Sequence, residues 1–125
     1  GVIGDLNRGM TLEKFLAYIK KQMKCNKIKY TIGGKNKMIK KVALCGGSGS
    51  FLLQDAIKNK ADVYISSDFK YHDFLDYNND IIIMDIGHYE SEFFTQHLIF
   101  DILKEKFSKL AVHLTSVCTN PVLYY

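Results

Sequence analysis

The sequence predicts an α/β fold: a mixed sheet of about five strands flanked by helices, built as one unit over residues 1–125. Three observations predict it. Apolar segments of strand length are followed by segments of helical character three times in succession, the alternation that marks α/β layering. The chain is 47% apolar and 13% aromatic, and at its length roughly two thirds of the unfolded surface can be buried, so a core forms without disulfides or a structural metal. No apolar run is long enough to cross a bilayer, and no repeat, low-complexity tract or linker divides the chain.

Thr11 caps a helix whose apolar residues Leu12, Phe15, Leu16, Ile19 and Met23 fall on one face, with lysines on the other. Ile28, Tyr30 and Ile32 then alternate, and Gly33-Gly34 with Lys35-Asn36-Lys37 provide a turn into an apolar strand over Met38 to Cys45, predicting a hairpin. Three strand-helix units follow. Val42 to Cys45 leads to a helix from about Ser50 to Lys60, and Val63 to Ser66 to a short helix around His72 to Tyr77. Ile81 to Ile86 leads to a long helix from about Tyr89 to Phe107, whose Phe94, Leu98, Ile99, Ile102 and Leu103 form a stripe expected to pack on the core. Lys104 and Lys106 sit where the helix dipole favours cations. Leu110, Val112 and Leu114 alternate with Ala111, His113 and Thr115, predicting a half-buried last strand at a sheet edge or subunit contact that Pro121 stops.

Seventeen basic residues against thirteen acidic ones give a formal charge of +4, but Arg8 is the only arginine. The scattered lysines read as a solvated surface, and without the guanidinium fork that dominates base and phosphate recognition the composition argues against a nucleic-acid partner. Cys25, Cys45 and Cys118 are odd in number and show no CxxC spacing, which argues against a secreted disulfide framework. With no leader ahead of Gly1, a cytoplasmic location is expected.

In open α/β sheets ligands bind beyond the C-terminal ends of the strands, and three loops lie there. Cys45-Gly46-Gly47-Ser48-Gly49-Ser50 enters a helix, where free N–H groups and the helix end can cradle a phosphate. It lacks the GK[ST] of a P-loop, and a tight turn requiring positive φ is the competing reading. Cys45 itself reads as a small apolar residue ending a strand. The second loop, Ser66 to Asp73, gathers Asp68, Lys70, Tyr71, His72 and Asp73; either Asp68 or Ser67 caps the next helix and His72 is solvated, or these groups belong to a site. In the third, Gly87 breaks a buried strand and His88 and Glu92, four apart, project from one helix face towards a single divalent cation. Two ligands do not complete a site, so Asp68, His72, Asp85 or another segment would have to supply more. His97 and His113 have no partner at matching spacing.

Taken in order, Val42 to Ser50, Ala61 to Ile65 with Asp68 to Asp73, and Gly87 to Glu92 resemble the Nif-three-like family, also described as GTP cyclohydrolase I type 2 homologues. The resemblance runs from Gly1 to Thr119-Asn120-Pro121 and makes the 125 residues look like the C-terminal half of a longer protein with a two-part fold. It implies two divalent metal ions (Zn, Mn or Fe) per full-length subunit. His88 and Glu92 of the GHxxxE motif would be metal ligands, while the family's N-terminal ligands, an adjacent His pair and an Asp, have no counterpart here. It further implies a homo-oligomer, often a hexameric ring.

The function expected from this is a dinuclear-metal-dependent hydrolase acting on a nucleotide or phosphorylated small molecule. One ion lowers the pKa of a bound water while its neighbour polarises the electrophile. His72 and Asp68 are expected to act on protons beside the ions, Lys70 to neutralise substrate anion, and Gly46, Gly47, Ser48 and Gly49 to hold phosphate. The rival is a non-catalytic metal-binding or protein-interaction protein; a stand-alone phosphate module would rest on the glycine loop alone.

Overall fold

A computed structural model describes residues 1–33 and 38–125. Five strands form one mixed sheet in the order β1-β3-β4-β5-β2. The centre is parallel: β3 (Ile39–Ser48), β4 (Val63–Ser67) and β5 (Ile82–Asp85) lie side by side. Antiparallel edges are added by β1 (Val2–Met10) on β3 and by β2 (Lys29–Tyr30) on β5.

Burial on both faces explains why the central strands read as continuous apolar runs. Val63, Ile65, Ile82, Met84 and Ile86 point to one face, where Phe15 and Ile19 of α1 (Leu12–Gln22) and Cys25 close over them. Tyr64, Ile81 and Ile83 point to the other, covered by Leu53 and Ala56 of α2 (Leu53–Lys58), which a short 3₁₀ turn over Ser50–Leu52 precedes, and by Phe74 and Tyr77 of α3 (Tyr71–Tyr77). Thr11 caps α1 as expected, accepting the Lys14 N–H through Oγ1.

The sheet departs from the expected one in its members. The number of strands agrees, but β1 was not anticipated: Gly4, Asp5, Asn7, Arg8 and Gly9 interrupt its apolar pattern, and it is ordered by pairing with β3. With β1 on one side of β3 and β4 on the other, no edge of β3 remains for the Ile28 to Ile32 segment. The expected hairpin is therefore replaced by pairing of Lys29 and Tyr30 with Asp85 and Met84 of β5; of its turn, residues 34–37 lie outside the described residues. The expected strand over Leu110 to Leu114 is irregular, joins neither edge of the sheet, and leaves Leu110 and Leu114 exposed.

The expected long helix is two: α4 (His88–Glu92) and α5 (Thr95–Lys106), parted at Phe93-Phe94, whose rings meet edge to face at 5.4 Å. The α5 stripe is not core. Leu98, Ile99 and Ile102 are 61%, 52% and 41% exposed, so the apolar face read as packing inward faces out of this chain.

Candidate metal half-site

All three parallel strands end at one sheet edge, and the candidate site is assembled there. From β5, Asp85 Oδ1 accepts the Gly87 N–H at 3.1 Å, and Gly87 at φ +94° turns the chain into α4. That backbone conformation is open to glycine at little cost. His88 and Glu92 then leave the same face of α4, with His88 Nε2 3.2 Å from Glu92 Oε2. From β4, Asp68 approaches with its own φ at +59° and its Oδ2 lies 2.5 Å from His88 Nδ1, a charge-assisted hydrogen bond. Asp68 thus pairs with His88 and does not cap α3, whose N-cap is Lys70. The start of α3 is held instead by Asp73, whose carboxylate accepts the Lys70 N–H at 2.8 Å.

From β3 comes Gly47, buried, at φ +64°. Its N–H donates to Ser91 Oγ at 2.8 Å, its carbonyl accepts from Ser66 Oγ at 2.9 Å, and the Gly49 carbonyl accepts from Tyr64 Oη at 2.7 Å. A Cβ on Gly47 would run into the Glu92 carboxylate. The glycine loop therefore packs directly against the His88/Glu92 pair, with the Gly47 N–H engaged by protein.

A cleft of about 700 Å³ opens beside these groups, within the range of small-molecule sites. Asp68, His88 and Glu92 line it, as do Asp85, Lys29, Tyr89, Phe93 and, from the irregular C-terminal segment, Thr115, Asn120 and Tyr124. Asp85 is 4% exposed and its Oδ2 pairs with Lys29 Nζ at 2.7 Å. Gly46, Gly47, Ser48, Gly49, Lys70 and His72 are not among the residues lining this cleft. His72 is exposed, its ring against that of Tyr71.

The Asp68 hydrogen bond holds the His88 imidazole above its ordinary pKa of 6.5; slight desolvation opposes this, and the charges of Asp68 and Glu92 add to it. A raised folded pKa favours the protonated ring, so this contribution to stability is complete below 6.5 and lost as the pH rises through the folded value. Nitrogen-detected NMR titration of the metal-free protein is expected to place the His88 midpoint above 6.5, and Asp68→Asn to bring it down. An unchanged midpoint in Asp68→Asn would contradict the pairing.

The pair fits half a metal site. Two donors bound to one first-row cation at about 2.0–2.2 Å each stand roughly 3 Å apart, and His88 Nε2 and Glu92 Oε2 already do. A carboxylate on the far ring nitrogen, where Asp68 stands, fixes the tautomer and ring plane of histidines that do bind metal. Among the described residues, however, no group of three His, Cys, Asp or Glu side chains could hold an ion.

Residues 1–121 match the Duf34/NIF3 (NGG1p interacting factor 3) family. The chain belongs to that family. A Staphylococcus epidermidis protein named GTP cyclohydrolase 1 type 2 homolog is 36% identical over 129 aligned residues, covering 99% of this chain and 35% of the relative. The crystal structure of a Staphylococcus aureus hypothetical protein superposes with a TM-score of 0.90 at 30% identity, covering 98% of this chain and 42% of that one. A Bacillus cereus protein related to NIF3 gives 0.79 at 26% identity, over 98% of this chain and 35% of that one. The chain thus spans about a third of the length of the curated NIF3 relatives it matches. No helix among the described residues is long and apolar enough to cross a membrane.

Three residues of the site carried little signal in the sequence. Ser91 and Ser66 are single hydroxyls whose partners lie 44 and 19 residues away. Lys29 meets Asp85 only because β2 pairs with β5.

Proposed function

We propose that this chain contributes half of a dinuclear, divalent-metal site to a hydrolase acting on a nucleotide or phosphorylated small molecule. The observation that carries this reading is the arrangement of His88 Nε2 and Glu92 Oε2, 3.2 Å apart, with Asp68 on the far nitrogen. His88 and Glu92 would hold a Zn, Mn or Fe ion, and further donors would come from outside the described residues. A bound ion supplies a water of lowered pKa and polarises the electrophile. Asp68 orients His88, and the cleft beside it positions the substrate through Tyr89, Phe93 and Asn120.

Within this reading the glycine loop supports Glu92, since the Gly47 N–H is already bonded to Ser91. Lys70 and His72, which lie outside the cleft lining, would reach a substrate only where it extends beyond that cleft. The exposed Leu98, Ile99 and Ile102 of α5 support a homo-oligomer, of which a hexamer is the form the family resemblance suggests, and they equally suit a non-catalytic interaction protein.

The test is turnover by the natural full-length gene product carrying two metal ions. Release of phosphate and of ring-opened base is followed across a panel of nucleotides and phosphorylated metabolites. Metal-dependent turnover of any member is the expected result. None on a broad panel would transfer the proposal to the interaction reading.

A further inference from the structure

Five-residue α4 is too short to hold its own geometry, since a helix of one or two turns is unstable without outside contacts. Its N-cap, Gly87, offers no side-chain hydrogen bond. What fixes the directions of His88 and Glu92 must therefore be tertiary. Two hydrogen bonds meet at Ser91 Oγ: it donates to the His88 carbonyl at 2.8 Å, and it accepts the Gly47 N–H at 2.8 Å. One hydroxyl thus ties the first residue of α4 to the end of β3, one position before Glu92.

The other side of the Gly47 residue is braced as well. Ser66, fully buried on β4, donates to the Gly47 carbonyl at 2.9 Å. Gly47 is held between strand and helix, and its missing side chain leaves the space that the Glu92 carboxylate occupies.

We propose that Ser91, braced through Gly47 by Ser66, is the positioning residue of the half-site: it docks α4 on β3 and so sets the separation of His88 Nε2 from Glu92 Oε2. The inference rests on the metal-site reading only for its metal readout. Ser91 does not line the cleft. Its hydroxyl is required as donor and acceptor together, so threonine can replace it and alanine cannot.

The experiment uses the natural full-length gene product, with Co²⁺ as the probe. Affinity is measured by chelator competition, the ligand field by visible absorption, and folding by thermal melts. Ser91→Ala is expected to weaken Co²⁺ binding about tenfold, the lower end of what loss of a supporting hydrogen bond costs a metal site, and to alter the visible bands while the melt moves by only a few degrees. Ser91→Thr is expected to recover both. Unchanged affinity and bands in Ser91→Ala, where His88→Ala loses Co²⁺, would overturn the proposal. His88→Ala separates the two readings: if it too leaves Co²⁺ binding unchanged, the metal reading fails by itself. The metal-free crystal structure of Ser91→Ala then decides the positioning role. The Nε2 to Oε2 separation should open beyond 3.2 Å, and its retention would overturn the role.

Discussion

Gly47→Val is expected to destabilise the protein by about 2–5 kcal/mol, through backbone strain and overpacking. The residue is buried at φ +64°, a conformation that a β-branched side chain rarely adopts. Its new Cβ would also strike the Glu92 carboxylate, with the His88 ring 3.5 Å away. The carboxylate is the far end of a half-exposed side chain, so relief of the clash swings it away from its place beside His88. Ser48→Ala, one residue on at an exposed position, is expected to change stability by no more than about 0.5 kcal/mol. Thermal melts of the two variants make the comparison, with a fall of roughly 10 °C or more for Gly47→Val. Equal and negligible shifts would mean that the loop is an ordinary connection and Glu92 is not packed on it.

The second large effect concerns metal content. In the full-length gene product Glu92→Gln replaces a charged donor by a neutral amide and leaves His88 as the one ligand of this pair, so divalent-metal affinity should fall by at least about 100-fold, more than loss of an outer hydrogen-bonding partner costs. Turnover, where the nucleotide panel yields any, should fall with it. His72→Ala should keep its metal, because His72 is exposed and contacts neither His88 nor Glu92. Metal analysis by mass spectrometry on the same samples used for the assay checks both variants. Undiminished metal in Glu92→Gln would remove that residue from the ligand set. A loss of turnover in His72→Ala with metal intact would return it to the proton-transfer role its neighbourhood in the sequence suggested.

The sheet's centre was legible because it obeys a local rule. Val63 to Ser66 and Ile81 to Ile86 are buried on both faces, and such strands read as apolar runs wherever they pair. The edges obey no such rule. Val2–Met10 carries Gly4, Asp5, Asn7, Arg8 and Gly9, and only β3 makes a strand of it; Leu110 to Leu114 alternates well but pairs with no strand. The α5 stripe shows the same limit. Helical period reports that a face is apolar, not what covers it, and Leu98, Ile99 and Ile102 are left exposed.

At the site, spacing identified His88 and Glu92, because four residues on a helix is a geometric statement about two side chains. The Asp68 contact was within reach of the sequence only as a choice between capping and a site role, since it spans two strands and 20 residues. Gly47 was legible as a glycine needing positive φ, and its φ is +64°. What that φ is for, the close approach of Glu92 and the bond to Ser91, depends on how α4 folds back over β3.

The central claim is that His88 and Glu92 hold one ion together, with Asp68 behind the imidazole. Anomalous diffraction from crystals of the full-length gene product grown with Zn²⁺, recorded on both sides of the zinc edge, tests it most directly. The expected result is a zinc peak at bonding distance from both His88 Nε2 and Glu92, with Asp68 still on Nδ1. A peak bound through His88 Nδ1 with Asp68 displaced, or zinc bound elsewhere with His88 and Glu92 still paired to each other, would contradict the account.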